Sequence, residues 1–216
     1  KVGATVKLNM MIAIPSAVGL AVLAPNIIAL LFGSSNEYSQ KMASSLLIFG
    51  SICVVFYALS TISNSVLQGI SLMRLPVIHS AIALVIHCAV IATILIVYPK
   101  ADVYALMIGN ILFPLIVCIL NWISVKKHLN YEQEIVKTFL IPLASSLVMG
   151  FFVYIMKWIV MSVIHINAVA VILSMAVAIC IYFVSMVLFR GITEDELKNI
   201  PKGYILIKIL KKVRLM

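Results

Sequence analysis

LPVIHSAIALVIHCAVIATILIV, residues 75–97, runs for 23 residues without an Asp, Glu, Lys or Arg. A helix rises about 1.5 Å per residue, so about 20 such residues cross the hydrocarbon of a bilayer. The stretch is continuously apolar rather than alternating, and barrel strands are only about 10 residues long. It reads as a membrane-spanning helix. Working outward, VYALMIGNILFPLIVCILNWISV at 103–125 reads the same way. So do the uncharged runs 42–67, 8–32, 138–156 and 168–189. The expected fold is all-α, a polytopic bundle of six transmembrane helices.

Composition agrees. The 216 residues are 64% hydrophobic and 11% charged, with a mean hydropathy of +1.19. A soluble globule is about 45–50% apolar and about 25% charged, so lipid has to be the solvent for much of this surface. The formal charge of +9 raises nucleic acid as a partner. The basic residues, however, fall between apolar runs and at the end of the chain, with no basic face carrying interleaved aromatics. Membrane lipids are the partner this pattern implies.

The first run is about 25 residues, too long for the core of a signal peptide, and the chain opens on Lys1. The expectation is a piece of a longer protein. Cys53, Cys88, Cys118 and Cys180 each sit inside an apolar run without a C-x-x-C pair. They read as small hydrophobes rather than as disulfides or metal ligands; no metal or cofactor is expected.

Orientation follows from Lys and Arg. With the N-terminus inside, the inner segments hold Lys1, Lys7, Arg74, Lys126, Lys127, Lys137 and seven tail residues from Arg190 onward, 13 of the 16 basic residues. Lys41, Lys100 and Lys157 fall outside. The positive-inside rule then gives both ends in the cytoplasm. Trp158 and Lys157 are expected at the outer end of the fifth helix. Three segments result: 1–125 with four helices, 126–189 with two more, and a cytoplasmic tail at 190–216. In that tail Thr193 and Glu196 match a capping box. Beyond Pro201 and Gly203, the helix expected over Tyr204–Met216 carries Lys208, Lys211 and Lys212 on one side and Ile205, Ile209, Val213 and Met216 on another. An amphipathic helix on the anionic inner leaflet is expected, touching lipid through Lys208, Lys211, Lys212 and Arg214.

All seven acidic residues, Glu37, Asp102, Glu132, Glu134, Glu194, Asp195 and Glu196, lie outside the uncharged runs. Proton- and sodium-coupled transporters commonly bury a carboxylate in the membrane, and intramembrane enzymes need acids, metal ligands or an activated nucleophile. Neither motif nor spacing supports an enzyme. The remaining polar content is neutral or imidazole. Ser60, Asn64, Gln68 and Ser71 recur at i, i+4, i+8 and i+11, a stripe that ends near Arg74. Such a stripe either lines an aqueous cavity or hydrogen-bonds neighbouring helices together. His79 and His87 stand about 80° apart around the third helix, with His87 deeper and so the stronger cavity candidate. Asn110 reads as interhelical glue. Pro15, Pro114 and Pro142 are expected to kink their helices, and Gly19, Gly50, Gly109 and Gly150 to mark close packing.

Three segments, taken in order, resemble one family. Ile14-Pro15-Ser16-Ala17-Val18-Gly19 through Leu30-Leu31-Phe32-Gly33 is similar to the ninth helix of the stage V sporulation protein B-like polysaccharide transporters. Ser65-Val66-Leu67-Gln68-Gly69 with Arg74-Leu75-Pro76-Val77 resembles that family's "LQG…P" junction. Glu194-Asp195-Glu196-Leu197 with Ile200-Pro201-Lys202-Gly203 is similar to its acidic-then-"PKG" ending. The family belongs to the superfamily of multidrug, oligosaccharidyl-lipid and polysaccharide exporters, which includes the lipid II flippases. The resemblance implies a two-lobe transporter of fourteen helices working by alternating access. This chain would then be helices nine to fourteen, partnered by a missing N-terminal lobe. It further implies a lipid-linked sugar as substrate, a multi-pass location in a bacterial plasma membrane, and Arg74 as the one cation here placed to meet a pyrophosphate. Rival readings are a cation-coupled drug exporter of the same superfamily, a membrane-embedded glycosyl- or acyltransferase, and a non-transporting scaffold.

Overall fold

The computed structural model describes residues 2–98, 102–129 and 134–191. Among these residues it is all helical, with helices α1 Val2–Leu31, α2 Glu37–Gly69, α3 Arg74–Val97, α4 Asp102–Leu129, α5 Ile141–Val163 and α6 Asn167–Leu188. Each belongs to a helical segment long and apolar enough to cross a membrane, as the uncharged runs predict. The basic tail at 190–216, with Lys208, Lys211, Lys212 and Arg214, lies outside the described residues apart from Arg190 and Gly191.

The helices outrun the charge-free stretches that revealed them. α2 starts at Glu37, five residues before its uncharged run. Asn36 caps it, its side-chain oxygen accepting from the Ser39 N–H at 2.7 Å. Glu37 and Lys41 then pair across one turn at 2.7 Å, both well exposed. Capping and i,i+4 pairing carry a helix beyond its lipid-buried part without any apolar residue. At the other end α2 closes with the Leu72 N–H bonded to the Leu67 carbonyl and the Ser71 N–H to Gln68, and Ser71 takes φ 65°. That is a Schellman close with a serine where glycine is usual. Ser71 therefore leaves the helix, and the expected polar stripe stops at Gln68.

The chain forms two compact units, Lys1–Glu134 and Ile135–Met216. In the first, α1 packs on α2, α2 on α4, and α3 on α4, while α2 and α3 barely touch. Met10, Ala13, Ile14, Ala17, Ala24 and Ile28 are the buried face of α1, recurring at the helical spacing of three and four. Pro15 and Pro25 both lie within α1 and Pro114 within α4. Two glycines mark where α4 meets its neighbours. A Cβ on Gly109 would stand 2.5 Å from Cδ1 of Ile91 on α3. One on Gly50 of α2 would stand 3.1 Å from Cε of Met107 on α4. Gly19, by contrast, has nothing within 4 Å of that position, so close packing does not explain it.

In the second unit α5 and α6 form a hairpin through Ile164–Ile166, with His165 at φ 57°. Ser145, Ser146 and Gly150 on α5 and Ala170, Ser174 and Ser185 on α6 are buried, small residues that let two backbones approach where no water drives them together. Just ahead of α5, Val136–Leu140 is a π turn whose last bond runs from the Ile141 N–H to the Val136 carbonyl. Pro142 explains it: proline has no N–H for the Thr138 carbonyl and its ring crowds that oxygen, so the turn widens. The proline thus reshapes the start of α5 rather than kinking its middle. At the far end α5 continues to Val163, six residues past Lys157. Lys157 and Trp158, expected at the outer end of the fifth helix, instead stand inside it.

Candidate functional site

The densest polar arrangement lies where α2, α3 and α4 meet, and its hub is Asn121, fully buried at 0% exposure. Its amide nitrogen donates to Ser63 Oγ at 2.9 Å and to Asn64 Oδ1 at 2.7 Å, both on α2. That orientation turns Asn121 Oδ1 toward α3, where His79 Nδ1 lies 2.7 Å away. An amide oxygen only accepts, so Nδ1 of His79 must carry the proton. The other ring nitrogen, Nε2, is then an acceptor, and the Ser124 hydroxyl of α4 stands 3.4 Å from it. One asparagine therefore sets one imidazole tautomer and ties three helices. In lipid an unmatched polar group has no water to turn to, so the members hold one another in place.

A second cluster sits farther along the same three helices. His87 donates from Nδ1 to the Gly109 carbonyl at 2.8 Å, reaching it because Gly109 has no side chain. The imidazole meets the Phe113 ring edge-on at 6.0 Å. Tyr57 donates its hydroxyl to Asn110 Oδ1 at 3.2 Å, joining α2 to α4 as the glue reading of Asn110 expects.

On α1, Asn9 donates to the Ala58 carbonyl at 2.7 Å, which sets this turn of α1 against the turn of α2 that carries Ser60. Two residues earlier is Lys7, 7% exposed and the only Lys, Arg, Asp or Glu among the buried described residues.

The sequence candidates are thus sorted by their surroundings. Ser60 is buried and returns its hydroxyl to the Tyr57 carbonyl of its own helix. Asn64 belongs to the Asn121 network. His87 is half-buried and bonded to backbone, and Gln68 and Arg74 are exposed. The structure brings Asn64 together with His79, not His87, and neither joins Gln68 or Arg74 through a hydrogen bond described here. Asn121 escaped sequence reading because it lies five residues before Lys126 and looks like an interface residue. Its one signal was the 42-residue offset from His79 that an α3–α4 hairpin brings together. Among the described residues no three His, Cys, Asp or Glu side chains gather into a metal-binding group. The assembled polar atoms are amides, hydroxyls and imidazoles, suited to binding and positioning.

Residues 2–179 match the family described as Lipid II flippase MurJ. The chain belongs to that family. The lipid II flippase MurJ of Bacillus subtilis (strain 168) is 28% identical over 162 residues, which are 74% of this chain and 29% of that protein. The chain thus spans less than a third of the length of that curated relative. No solved structure matches it. The MurJ family is one of transporters rather than enzymes. Its membership and the six spanning helices make this a multi-pass protein of a bacterial plasma membrane.

Proposed function

We propose that the chain is the later part of a flippase that carries a lipid-linked cell-envelope precursor across the plasma membrane by alternating access. Membership of the MurJ family supports the transport class. The observation that carries the reading for this chain is the three-helix lock on Asn121, because a lobe that rocks as a body needs its helices tied by something other than interchangeable apolar contacts. The finer reading is that of the stage V sporulation protein B-like transporters, with an oligosaccharide or polysaccharide precursor as cargo. Residues 1–125 then supply four helices of the second lobe of a fourteen-helix protein, residues 126–189 two additional helices, and 190–216 a basic tail on the inner leaflet. Both ends face the cytoplasm, and an N-terminal lobe completes the cavity.

Within this reading the sequence candidates divide into two roles. Ser60, Asn64 and His87 are engaged with protein and hold the wall in shape. Gln68 and Arg74 are exposed and flank the turn between α2 and α3, where an amide and a guanidinium are suited to a sugar and a phosphate. The test is the full-length protein in liposomes with a fluorescent lipid-linked sugar. Wild-type protein should move the probe out of the inner leaflet, and Gln68→Ala and Arg74→Ala should slow it at unchanged membrane abundance. A probe that flips no faster than in protein-free liposomes ends the flippase reading. Wild-type rates in both variants remove those two residues from it.

A further inference from the structure

α2 carries an exposed polar line beside the residues that bind Asn121. Tyr57, Thr61, Ser65 and Gln68 recur at i, i+4, i+8 and i+11, and all four are exposed. The first three lie within the charge-free run 42–67. α3 differs: Val77, Leu84, Val85 and Ile96, among its most exposed residues, offer a neighbour only aliphatic carbon. A hydrogen-bonding group on each turn of a spanning helix calls for a polar neighbour, because hydrocarbon supplies none.

The atoms this line leaves open are mixed and uncharged. Thr61 Oγ1 donates to the Tyr57 carbonyl at 2.8 Å and Ser65 Oγ to the Thr61 carbonyl at 3.0 Å, so both hydroxyl oxygens are left as acceptors. Tyr57 donates to Asn110 Oδ1 at 3.2 Å, and its oxygen is left as an acceptor too. Asn110 of α4 supplies donors. It is exposed, and its amide N–H groups have no partner among the described residues. The Tyr57 ring is 40% exposed and is braced by Phe113, ring centres 6.5 Å apart. Phe113 in turn meets His87 edge-on at 6.0 Å, so α3 and α4 together hold the ring that Tyr57 leans on.

We propose that Tyr57, Asn110, Thr61 and Ser65 form a sugar-binding track, which rests on the flippase reading and receives the glycan of the cargo. A pyranose has a C–H face that lies against an aromatic ring, drawn by the negative quadrupole of the ring face. Around that face runs a rim of hydroxyls, each both donor and acceptor. The sugar stacks on Tyr57, one of its oxygens accepts from the Asn110 amide, and further hydroxyls donate to the Thr61 and Ser65 oxygens. An ion finds no counter-charge on these four residues, and an acyl chain would strand the Asn110 N–H groups. The track is continuous with Gln68 and the turn that carries Arg74. From Tyr57 to Gln68 it runs for eleven residues, about 16 Å at about 1.5 Å per residue, long enough for more than one sugar ring.

The test is equilibrium binding to the full-length protein in nanodiscs with two radiolabelled probes. One is a polyprenyl pyrophosphate bearing a disaccharide of N-acetylglucosamine, the other the same polyprenyl pyrophosphate without sugar. Wild type should hold the sugar-bearing lipid about tenfold more tightly, the scale of a neutral hydrogen bond with a ring contact. Tyr57→Ala and Asn110→Leu should each lower that ratio by about threefold or more, while affinity for the bare lipid stays at the wild-type value and shows that the variants are folded. Tyr57→Phe, which keeps the ring, should lower the ratio less than Tyr57→Ala. Equal binding of the two probes by wild type overturns the track and leaves the flippase reading standing. A wild-type ratio in both Tyr57→Ala and Asn110→Leu also overturns the track. Wild type that binds neither probe overturns the flippase reading, and the track with it.

Discussion

Replacing Asn121 with alanine removes three side-chain contacts at once: to Ser63 at 2.9 Å, to Asn64 at 2.7 Å and to His79 at 2.7 Å. Interhelical hydrogen bonds in membrane proteins average about 0.6 kcal/mol and reach about 1.7. Three of them amount to about 2 kcal/mol, roughly a 30-fold change in the folding equilibrium. The emptied space adds to this, since Asn121 is wholly buried and its neighbours relax only in part. His79→Ala removes the same α3–α4 contact from the other side, so the two substitutions should not add: a double-mutant cycle should give a coupling of about 0.6 kcal/mol or more. The assay is SDS-induced unfolding of the purified full-length protein in mixed micelles, followed by tryptophan fluorescence. Asn110→Ala is the comparator, because Asn110 makes a single longer contact, with Tyr57 at 3.2 Å. An Asn121→Ala protein no less stable than Asn110→Ala, or a cycle that closes to zero, would refute the lock on three helices.

Two further outcomes follow from the packing and the orientation. Gly109→Ala should destabilise the protein by about 1–3 kcal/mol, because its Cβ would meet Ile91 at 2.5 Å and His87 Cε1 at 2.9 Å. Gly19→Ala, with open space at that position, should be neutral or stabilising by up to about 1 kcal/mol from helix propensity. The same unfolding titration reads both, and equal effects would contradict the close approach of α3 to α4. For orientation, Glu37→Cys in intact cells should react with a membrane-impermeant maleimide, and Lys127→Cys should react only after the membrane is opened. The reverse pattern would overturn the cytoplasmic placement of both ends.

The spans were legible because lipid imposes one demand on every residue it touches, and that demand survives reading one residue at a time. Helix ends were less legible. Glu37 and Lys41 ended an uncharged run yet continue a helix, because backbone hydrogen bonding does not require an apolar side chain. Lys157 ended a run in the same way, and α5 goes on to Val163. The polar site was legible as ingredients only. Asn64 stood out by its stripe, but whether it lines a cavity or binds a helix depends on what faces it. The facing residue, Asn121, lies 57 positions away. His79 was ranked below His87 on depth alone, whereas partners decide: His79 meets two side chains, and His87 meets a carbonyl exposed by a glycine. Ser71 was misplaced because the left-handed close of α2 falls on a serine, where only glycine or asparagine would have signalled it.

The packing order of the first unit also has a consequence for how the protein is made. α3 rests on α4 and scarcely on α2, yet α3 leaves the ribosome first. It must enter the bilayer as a single span and wait there, with the His79 imidazole lacking the amide it will later bind. The His79 imidazole can meet its partner amide only after Asn121 has been made, 42 residues later in synthesis. α4 closes the unit on two sides at once, joining α3 to a hairpin of α1 and α2 already formed. A nascent chain halted between α3 and α4 would carry a loose third helix, open to whatever quality control surveys the membrane for polar side chains without partners.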